Sequence, residues 1–380
     1  MLFSRIELKN WRNFRHLDVA LHETTYVLGP NASGKSNLLD AFRFLRDVSK
    51  SKGGGLQTAV AERGGLGKVR CLHARRDPEV SIAVDAKDDE RSWRYVLGFR
   101  SEGKGAQRII VSREEVWRDT VCLFRRPTAA DKSDVAQLTQ TYLEQIQANQ
   151  DFRDLAEYLA STTYLHLVPQ LLKFADKIGG QRLADDPFGQ GFLEHLARTP
   201  GKTRDARLRR IEKALTLAVP RFEELKFEKD ELGHPHLKAR YHHHRPNAGW
   251  QSEDQFSDGT LRLLGLLWSL LSGDSLLLLE EPEISLNDSI VKEIPLILKR
   301  AQQSKKSRRQ ILVSTHSEAL LSNPGIDGRG IVLLIPGPEG TTARTVLPDE
   351  QALLRAGLSV AEVLLPKTRP SSVEQLGLSL

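Results

Sequence analysis

Gly29–Asn37 reads GPNASGKSN and fills every fixed position of the pattern G-x-x-x-x-G-K-[ST], with Gly29, Gly34, Lys35 and Ser36 in place. The surroundings are those the pattern requires. The preceding TTYVL is rich in strand formers. The following SNLLDAFRFLRDV sets Leu38, Ala41, Phe42 and Leu45 on one helical face. Strand, glycine-rich loop and helix make a phosphate cradle. Glycines let backbone N–H groups close on an anion, and a helix N-terminus favours negative charge. Lys35 reaches the terminal phosphates and Ser36 ligates Mg²⁺. Asn31 and Asn37 belong to the same stretch and join the expected nucleotide contacts. Further upstream, FSRIELK at residues 3–9 alternates apolar and polar and reads as another strand.

Leu276–Asn287 reads LLLLEEPEISLN, a buried apolar run that ends on adjacent acids. Burying an unpaired carboxylate is costly. Beside a Mg²⁺–nucleotide the acids acquire a purpose. Glu280 holds Mg²⁺ directly or through water, and Glu281 polarises the attacking water. The cation and bound water offset what the carboxylates lose on burial.

Two further stretches flank this run. SDGT, Ser257–Thr260, is a serine–glycine turn opening an apolar helix at Leu261–Leu271, and so a second anion-favouring helix start. One nucleotide needs one phosphate loop. The second site makes sense if it caps the γ-phosphate held by another subunit. RRQILVSTHSEALL carries a strand, ILVST, with His316 at its end, where it can contact the γ-phosphate or the attacking water.

The ordered set GPNASGKSN, SDGTLRLLGLL, LLLLEEPEISLN and ILVSTHS resembles the ATP-binding-cassette ATPases of the RecF, SMC and OLD group. More narrowly, it is similar to their short bacterial "AAA" members without long coiled coils. The opening IELKNWRNFRHLDVAL is also similar to the start of those proteins. The resemblance covers residues 1–50 and 250–320. It implies ATP and Mg²⁺ as cofactors, Lys35 and Ser36 on phosphate and metal, and Ser257 and Gly259 as a signature motif acting in trans. It also implies Glu281 as catalytic base, His316 as switch histidine and Arg12 facing the nucleotide. Asn287 stands where an acid or histidine is usual, and Gln57, Gln107 and Gln170 all compete for the Q-loop position.

The implied fold is α/β: an ABC-type phosphate-loop ATPase head of two lobes, with a mixed central sheet, an antiparallel β subdomain and a helical insertion. The expected bounds are 1–130 for the first lobe, 131–222 for the insertion and 223–380 for the second lobe with its tail. EVSIAVDA, WRYVLGFR and QRIIVSREEVW between 69 and 125 supply the antiparallel strands. GGG at 53–55 and ERGGLG at 62–67 read as flexible loops. VAQLTQTYLEQIQ, DLAEYLAST, QGFLEHLAR and RDARLRRIEKALTLAV read as helices, with no sustained heptad. Residues 223–244 read as a hairpin turning at ELGHP, its HHH run a polar strand rather than a metal site. DGRGIVLLIPGPEGTTARTVL reads as a last hairpin, LRAGLSVAEVLL as a short amphipathic helix, and the end as a Pro/Ser tail.

Composition narrows the function classes. The 380 residues are 39% hydrophobic, enough for a sizeable core. Two cysteines, Cys71 and Cys122, give no disulfide framework and fit a reducing, cytoplasmic setting. No stretch approaches the roughly 20 apolar residues of a membrane span. A net charge of +6 leans towards polyanions, and the basic clusters at 202–210 and 299–309 are the candidate contacts for duplex DNA. No Asp-x-Asp pair occurs, so a Toprim nuclease, if used, is a separate protein. No Asn/Thr-Lys-x-Asp guanine-reading motif occurs either, which argues against a GTPase.

The expectation is a homodimer closing head-to-head around ATP and controlling DNA binding or a separate nuclease or toxin, in DNA maintenance or phage defence. The alternative is an ATP-bound scaffold or inhibitor of such a partner, with little turnover.

Overall fold

The computed structural model describes residues 1–74, 77–103, 108–174, 186–244, 249–303 and 309–368. β1 (Leu2–Trp11) and β2 (Phe14–Ala20) form a hairpin, after which β3 (Thr24–Leu28) departs for another sheet. β4 (Val80–Lys87), β5 (Ser92–Ser101), β6 (Ile109–Arg118) and β7 (Val121–Arg126) complete an antiparallel sheet in the order β2-β1-β4-β5-β6-β7. Simple alternation along β1 would separate Phe3 from Ile6. A register shift between Phe3 and Arg5 brings Phe3 into one core with Ile6 and Leu8. That core includes the phosphate-loop helix, Lys35–Ser49: the Phe3 ring packs tilted against Phe42 at 5.2 Å, and Trp11 edge-on against Phe44 at 5.2 Å.

The remaining strands are β8 (Thr163–Leu165), β9 (Phe222–Lys229), β10 (Pro235–Tyr241), β11 (Trp250–Ser252), β12 (Leu277–Glu280), β13 (Ile311–Ser314), β14 (Ile331–Gly337) and β15 (Gly340–Arg344). The central sheet runs β15-β14-β3-β13-β12-β8, parallel throughout except for the β14–β15 hairpin. β12 is buried on both faces. Leu276 and Leu278 enter the core with the phosphate-loop helix, while Leu277 and Leu279 enter the opposite core with Leu266, Leu298 and Leu320. This two-sided burial explains an unbroken leucine run, as expected of an interior parallel strand. A third sheet, β11-β10-β9, packs with helices Gly201–Ala218 and Asp258–Leu271 around Leu208, Leu225, Leu237, Leu264 and Trp268.

The mixed central sheet and the antiparallel subdomain match expectation, but residues 131–222 are not a purely helical excursion. Leu155 and Leu159 of helix Arg153–Ala160 join the core of the phosphate-loop helix, and β8 is the edge strand of the central sheet. VAQLTQTYLEQIQ is not an α-helix. It is a 3₁₀ turn at Val135–Thr139 followed by turns. Buried side chains capture its backbone: Arg126 donates to Gln137 O and Gln140 O at 2.9 Å, and Glu114 accepts from Tyr142 N and Leu143 N at 2.9 and 3.2 Å. Those bonds replace a helical ladder.

Smaller differences have equally local causes. LRAGLSVAEVLL is split by Gly357, at φ 103°, into helices Pro348–Arg355 and Val360–Leu364, the second opened by a Ser359–Glu362 capping box. The glycine stretches near 53–67 launch short helices, Leu56–Ala61 and Leu66–Val69. β10 ends at Tyr241, so the HHH run lies beyond the strand, with the His243 and His244 rings stacked at 4.3 Å. Among the described residues no group of three or more metal-ligating side chains forms. Residues 304–308 of the second basic cluster, candidate Gln107 and the tail from 369 lie outside the described residues. Arg309 is not on a solvated loop. It is 3% exposed and donates to Ser275 O at 2.8 Å and Ser272 O at 2.5 Å, beyond the helix that starts at SDGT. Burial pulls its guanidinium down to about 10.

Candidate active site

The site gathers at the C-terminal ends of β3, β12 and β13, which lie side by side in the order β3-β13-β12. From β3 the chain enters the loop at Gly29. An added Cβ there would lie 2.5 Å from Ser33 Oγ and 3.0 Å from Leu334 O, so only glycine fits. Gly34 has φ 98°, and an added Cβ would meet the Asn13 side chain at 2.3 Å. The helix starts at Lys35, with Leu38 N already bonded to Gly34 O at 3.0 Å. Lys35 is 7% exposed, and Nζ donates to Gly29 O at 3.0 Å and Pro30 O at 3.3 Å. Burial draws its amine below the usual lysine range, against the attraction of Glu281, Glu283 and Glu280. Asn31 stands exposed at the turn of the loop, and Asn37 Nδ2 donates to Asn13 Oδ1 at 2.8 Å.

Glu280 ends β12. Ser36 Oγ donates to its Oε1 and Tyr164, on β8, to its Oε2. Glu281 follows at φ 44°, a left-handed conformation that costs a non-glycine residue about 1–2 kcal/mol. Its N–H donates to Ser314 O at 3.0 Å, which anchors it to β13. Its Oε1 lies 2.9 Å from His316 Nδ1. Glu283 is buried and accepts from Thr315 Oγ1; burial pushes its carboxyl above the usual range.

The SDGT stretch is built as a helix start. Ser257 Oγ accepts from Thr260 N at 3.1 Å. Gly259 packs so closely that an added Cβ would sit 2.6 Å from Ser285 O, in the loop after the acids. Asp258 is held by Gln170 Nε2 at 2.6 Å and Lys173 Nζ at 2.7 Å. Among the described residues no hydrogen bond joins Ser257 or Gly259 to residues 29–36. Asn287 caps the next helix by accepting from Ser289 N at 3.0 Å.

Arg12 is turned to the phosphate-loop helix, where it donates to Asp40 Oδ2 at 2.7 Å and to Lys68 O at 3.3 Å. Its neighbour Asn13 reaches the loop instead, donating to Ser33 O at 2.8 Å. Of the Q-loop candidates, Gln57 donates to Ile109 O and Thr139 O, and Gln170 serves Asp258. The position beside Glu280 belongs to Tyr164 and His166, whose Nδ1 lies 3.3 Å from Glu280 O. Sequence reasoning missed Asn13, Tyr164, His166 and Glu283. Only Glu283, a third acid in the same run, carried a local signal.

The arrangement can therefore cradle a phosphate, offer hard oxygen ligands from Ser36 and Glu280, and aim a carboxylate–imidazole pair at a water. Fold and site together define a phosphate-loop ATPase head of the ATP-binding-cassette type. Residues 25–322 match the family described as "AAA domain, putative AbiEii toxin, Type IV TA system", and residues 3–46 match the P-loop containing region of AAA domain. The chain belongs to that AAA family and is an ATPase whose fold is that of an SMC head.

The DNA replication and repair protein RecF of Bacillus mycoides is 26% identical over 86 residues, 22% of this chain. The match spans only 23% of that relative's length. An SMC head solved bound to the C-winged helix domain of ScpA superposes with a TM-score of 0.55 at 14% identity, covering 92% of this chain and 100% of that one. The SMC head domain from Thermotoga maritima gives 0.50 at 14% identity, covering 91% and 100%. These structural likenesses are of fold. No helix among the described residues is long and apolar enough to cross a membrane.

Proposed function

We propose that the protein is a Mg²⁺-dependent, ATP-hydrolysing switch that dimerises head-to-head around ATP and controls DNA binding or a separate effector. The observation that carries this reading is the convergence of Ser36 with Glu280 and of Glu281 with His316, four side chains from three separate segments of the chain. Lys35 and the backbone N–H groups of the loop bind the β- and γ-phosphates of ATP. Ser36 and Glu280 fit Mg²⁺ through their oxygen donors, and the bound cation would neutralise charge on the phosphate oxygens. Glu281 holds the attacking water and accepts its proton. The water oxygen bonds to the γ-phosphorus, and the bond to the β,γ-bridging oxygen breaks, releasing ADP. His316, bonded to Glu281, orients that carboxylate.

Ser257 and Gly259, unconnected to their own phosphate loop, are proposed to meet the nucleotide held by a second copy. Closure of two heads then turns nucleotide state into shape change. The description of the matching family, which names a putative toxin and a type IV TA system, supports a toxin-linked output, and a separate effector and a role in phage defence are part of the proposal. The RecF match and the exposed basic residues Lys202, Arg209, Arg210 and Lys213 of helix Gly201–Ala218 favour duplex DNA as a second input.

The test is ATP turnover and assembly state of the purified protein, with and without duplex DNA, at low and physiological salt, beside Glu281→Gln. The expected result is Mg²⁺-dependent turnover in the wild type and an ATP-trapped dimer in the variant. A variant that stays monomeric with ATP would sink the head-to-head reading. Turnover indifferent to DNA at both salts would leave a protein effector as the output.

A further inference from the structure

We propose that Tyr164 is a positioning residue for the Glu280 carboxylate and thereby sets how tightly the site takes up its divalent cation. The proposal rests on the reading of Glu280 as the acid on the metal side. Tyr164 lies at the centre of β8, paired in register with Leu278 of β12. Side chains two apart on a strand share a face, so Tyr164, Leu278 and Glu280 project to the same side of the sheet. From there the phenol O–H donates to Glu280 Oε2, while Ser36 Oγ donates to Oε1. The two oxygens of one carboxylate are thus assigned different partners. Oε2 belongs to the scaffold, and Oε1 faces the phosphate loop.

The ring itself is held. Tyr164 is 8% exposed, and the Arg43 guanidinium, from the phosphate-loop helix, lies over it at 4.2 Å. Arg43 is 3.8 Å from Asp40, which Arg12 and Arg63 grip at 2.7 and 2.9 Å. Tyr164 is therefore braced from the helix that supplies Lys35 and Ser36. This also accounts for Arg63 of the RGG stretch, which ties Asp40 to Asp47 along that helix.

A glutamate on a flexible side chain can present either oxygen, or both, to a cation. A fixed donor on Oε2 removes that freedom and pre-orients Oε1. Outer partners of this kind are worth roughly 10–100-fold in metal affinity elsewhere. The competing explanation is that Tyr164 is a core residue whose hydroxyl bonds the nearest acid without consequence.

Tyr164→Phe separates the two, because it keeps the ring, the Arg43 contact and the packing. The measurement is equilibrium binding of a fluorescent ATP analogue, titrated with Mg²⁺, to the full chain as wild type, Tyr164→Phe, Glu280→Ala and the double variant, with thermal melts alongside. For Tyr164→Phe the Mg²⁺ concentration at half-saturation is expected to rise roughly 10–100-fold. Nucleotide binding without Mg²⁺ should be unchanged, and Glu280→Ala should abolish any further effect of Tyr164→Phe. Arg43→Met, which frees the ring but keeps the hydroxyl, should shift half-saturation less and in the same direction. A Tyr164→Phe protein that melts normally with wild-type Mg²⁺ dependence would overturn the proposal. If Glu280→Ala itself leaves Mg²⁺ dependence unchanged, the underlying assignment of Glu280 fails and the proposal falls with it.

Discussion

His316 Nδ1 lies 2.9 Å from Glu281 Oε1 although 35 residues separate them in the chain. Parallel pairing of β12 with β13, Glu280 opposite Ser314, brings their two C-terminal ends together. Glu281→Gln is expected to lower turnover about 10²–10⁴-fold while nucleotide binding persists. His316→Ala should cost less. Because the two act as one unit, the double variant should fall no further than Glu281→Gln alone. Steady-state phosphate release on all three variants checks this, and additive losses would separate the two residues.

Gly259 carries a packing constraint that reaches the loop after the acids. A Cβ there would sit 2.6 Å from Ser285 O, a backbone atom that cannot rotate away. Gly259→Ala is expected to cost about 1–3 kcal/mol by overpacking. It should also abolish ATP-dependent dimerisation before it abolishes nucleotide binding. Denaturant titration and sedimentation with ATP read the two effects separately.

Arg126 is a structural counterpart far from this chemistry. Its guanidinium has no exposed side-chain surface, pairs with Asp131 at 2.7 Å and Glu114 at 3.3 Å, and holds the 137–140 backbone. Arg126→Met leaves both acids without their buried cation and should destabilise by about 3–5 kcal/mol. The measurement is the urea midpoint. A loss under about 1 kcal/mol would mean that Glu114 takes up a proton at little cost.

Glu350 gives a pH dependence. Arg344 donates to it at 2.7 and 2.8 Å, and this pairing, with further bonds from Leu347 N and Lys367, pulls its carboxyl down to about 2 from 4.5. A depressed folded-state value means the native state favours the charged form. The stabilisation is therefore full above about 4.5 and is lost as pH falls towards about 2. The stability gap between wild type and Glu350→Gln should be widest near neutrality and close across that window. A gap that stays constant down to pH 2 would contradict this.

Most of the candidate site was legible because its signals are local. Gly29–Ser36, Glu280–Glu281 and SDGT each pack their chemistry into a few consecutive residues, and His316 ends a recognisable strand. Asn13 and Tyr164 were not legible, since what ties them to the candidate site is their bonds to Ser33 and Glu280, across 20 and 116 residues. Arg12, expected to face the nucleotide, has a surrounding that is equally non-local. At φ 54° its backbone turns, Asp40 takes the arginine, and the next residue reaches the loop. The 135–147 stretch had a helical pattern but yielded its carbonyls and amides to Arg126 and Glu114, side chains that no window around it contains.

By itself the sequence determined the phosphate loop, the strand–loop–helix around it, the paired acids after a leucine run and the helix capped by Ser257. All depend on spacing and on the short-range physics of glycine, helix ends and apolar periodicity. Only the tertiary structure decided that β8 closes the central sheet, that Arg309 is buried beyond the signature helix, and that Glu280 is shared between Ser36 and Tyr164. Those outcomes depend on which distant strands align. A buried charge or hydroxyl takes whichever partner the packed sheet brings within hydrogen-bond reach, and that partner is not encoded in its neighbours along the chain.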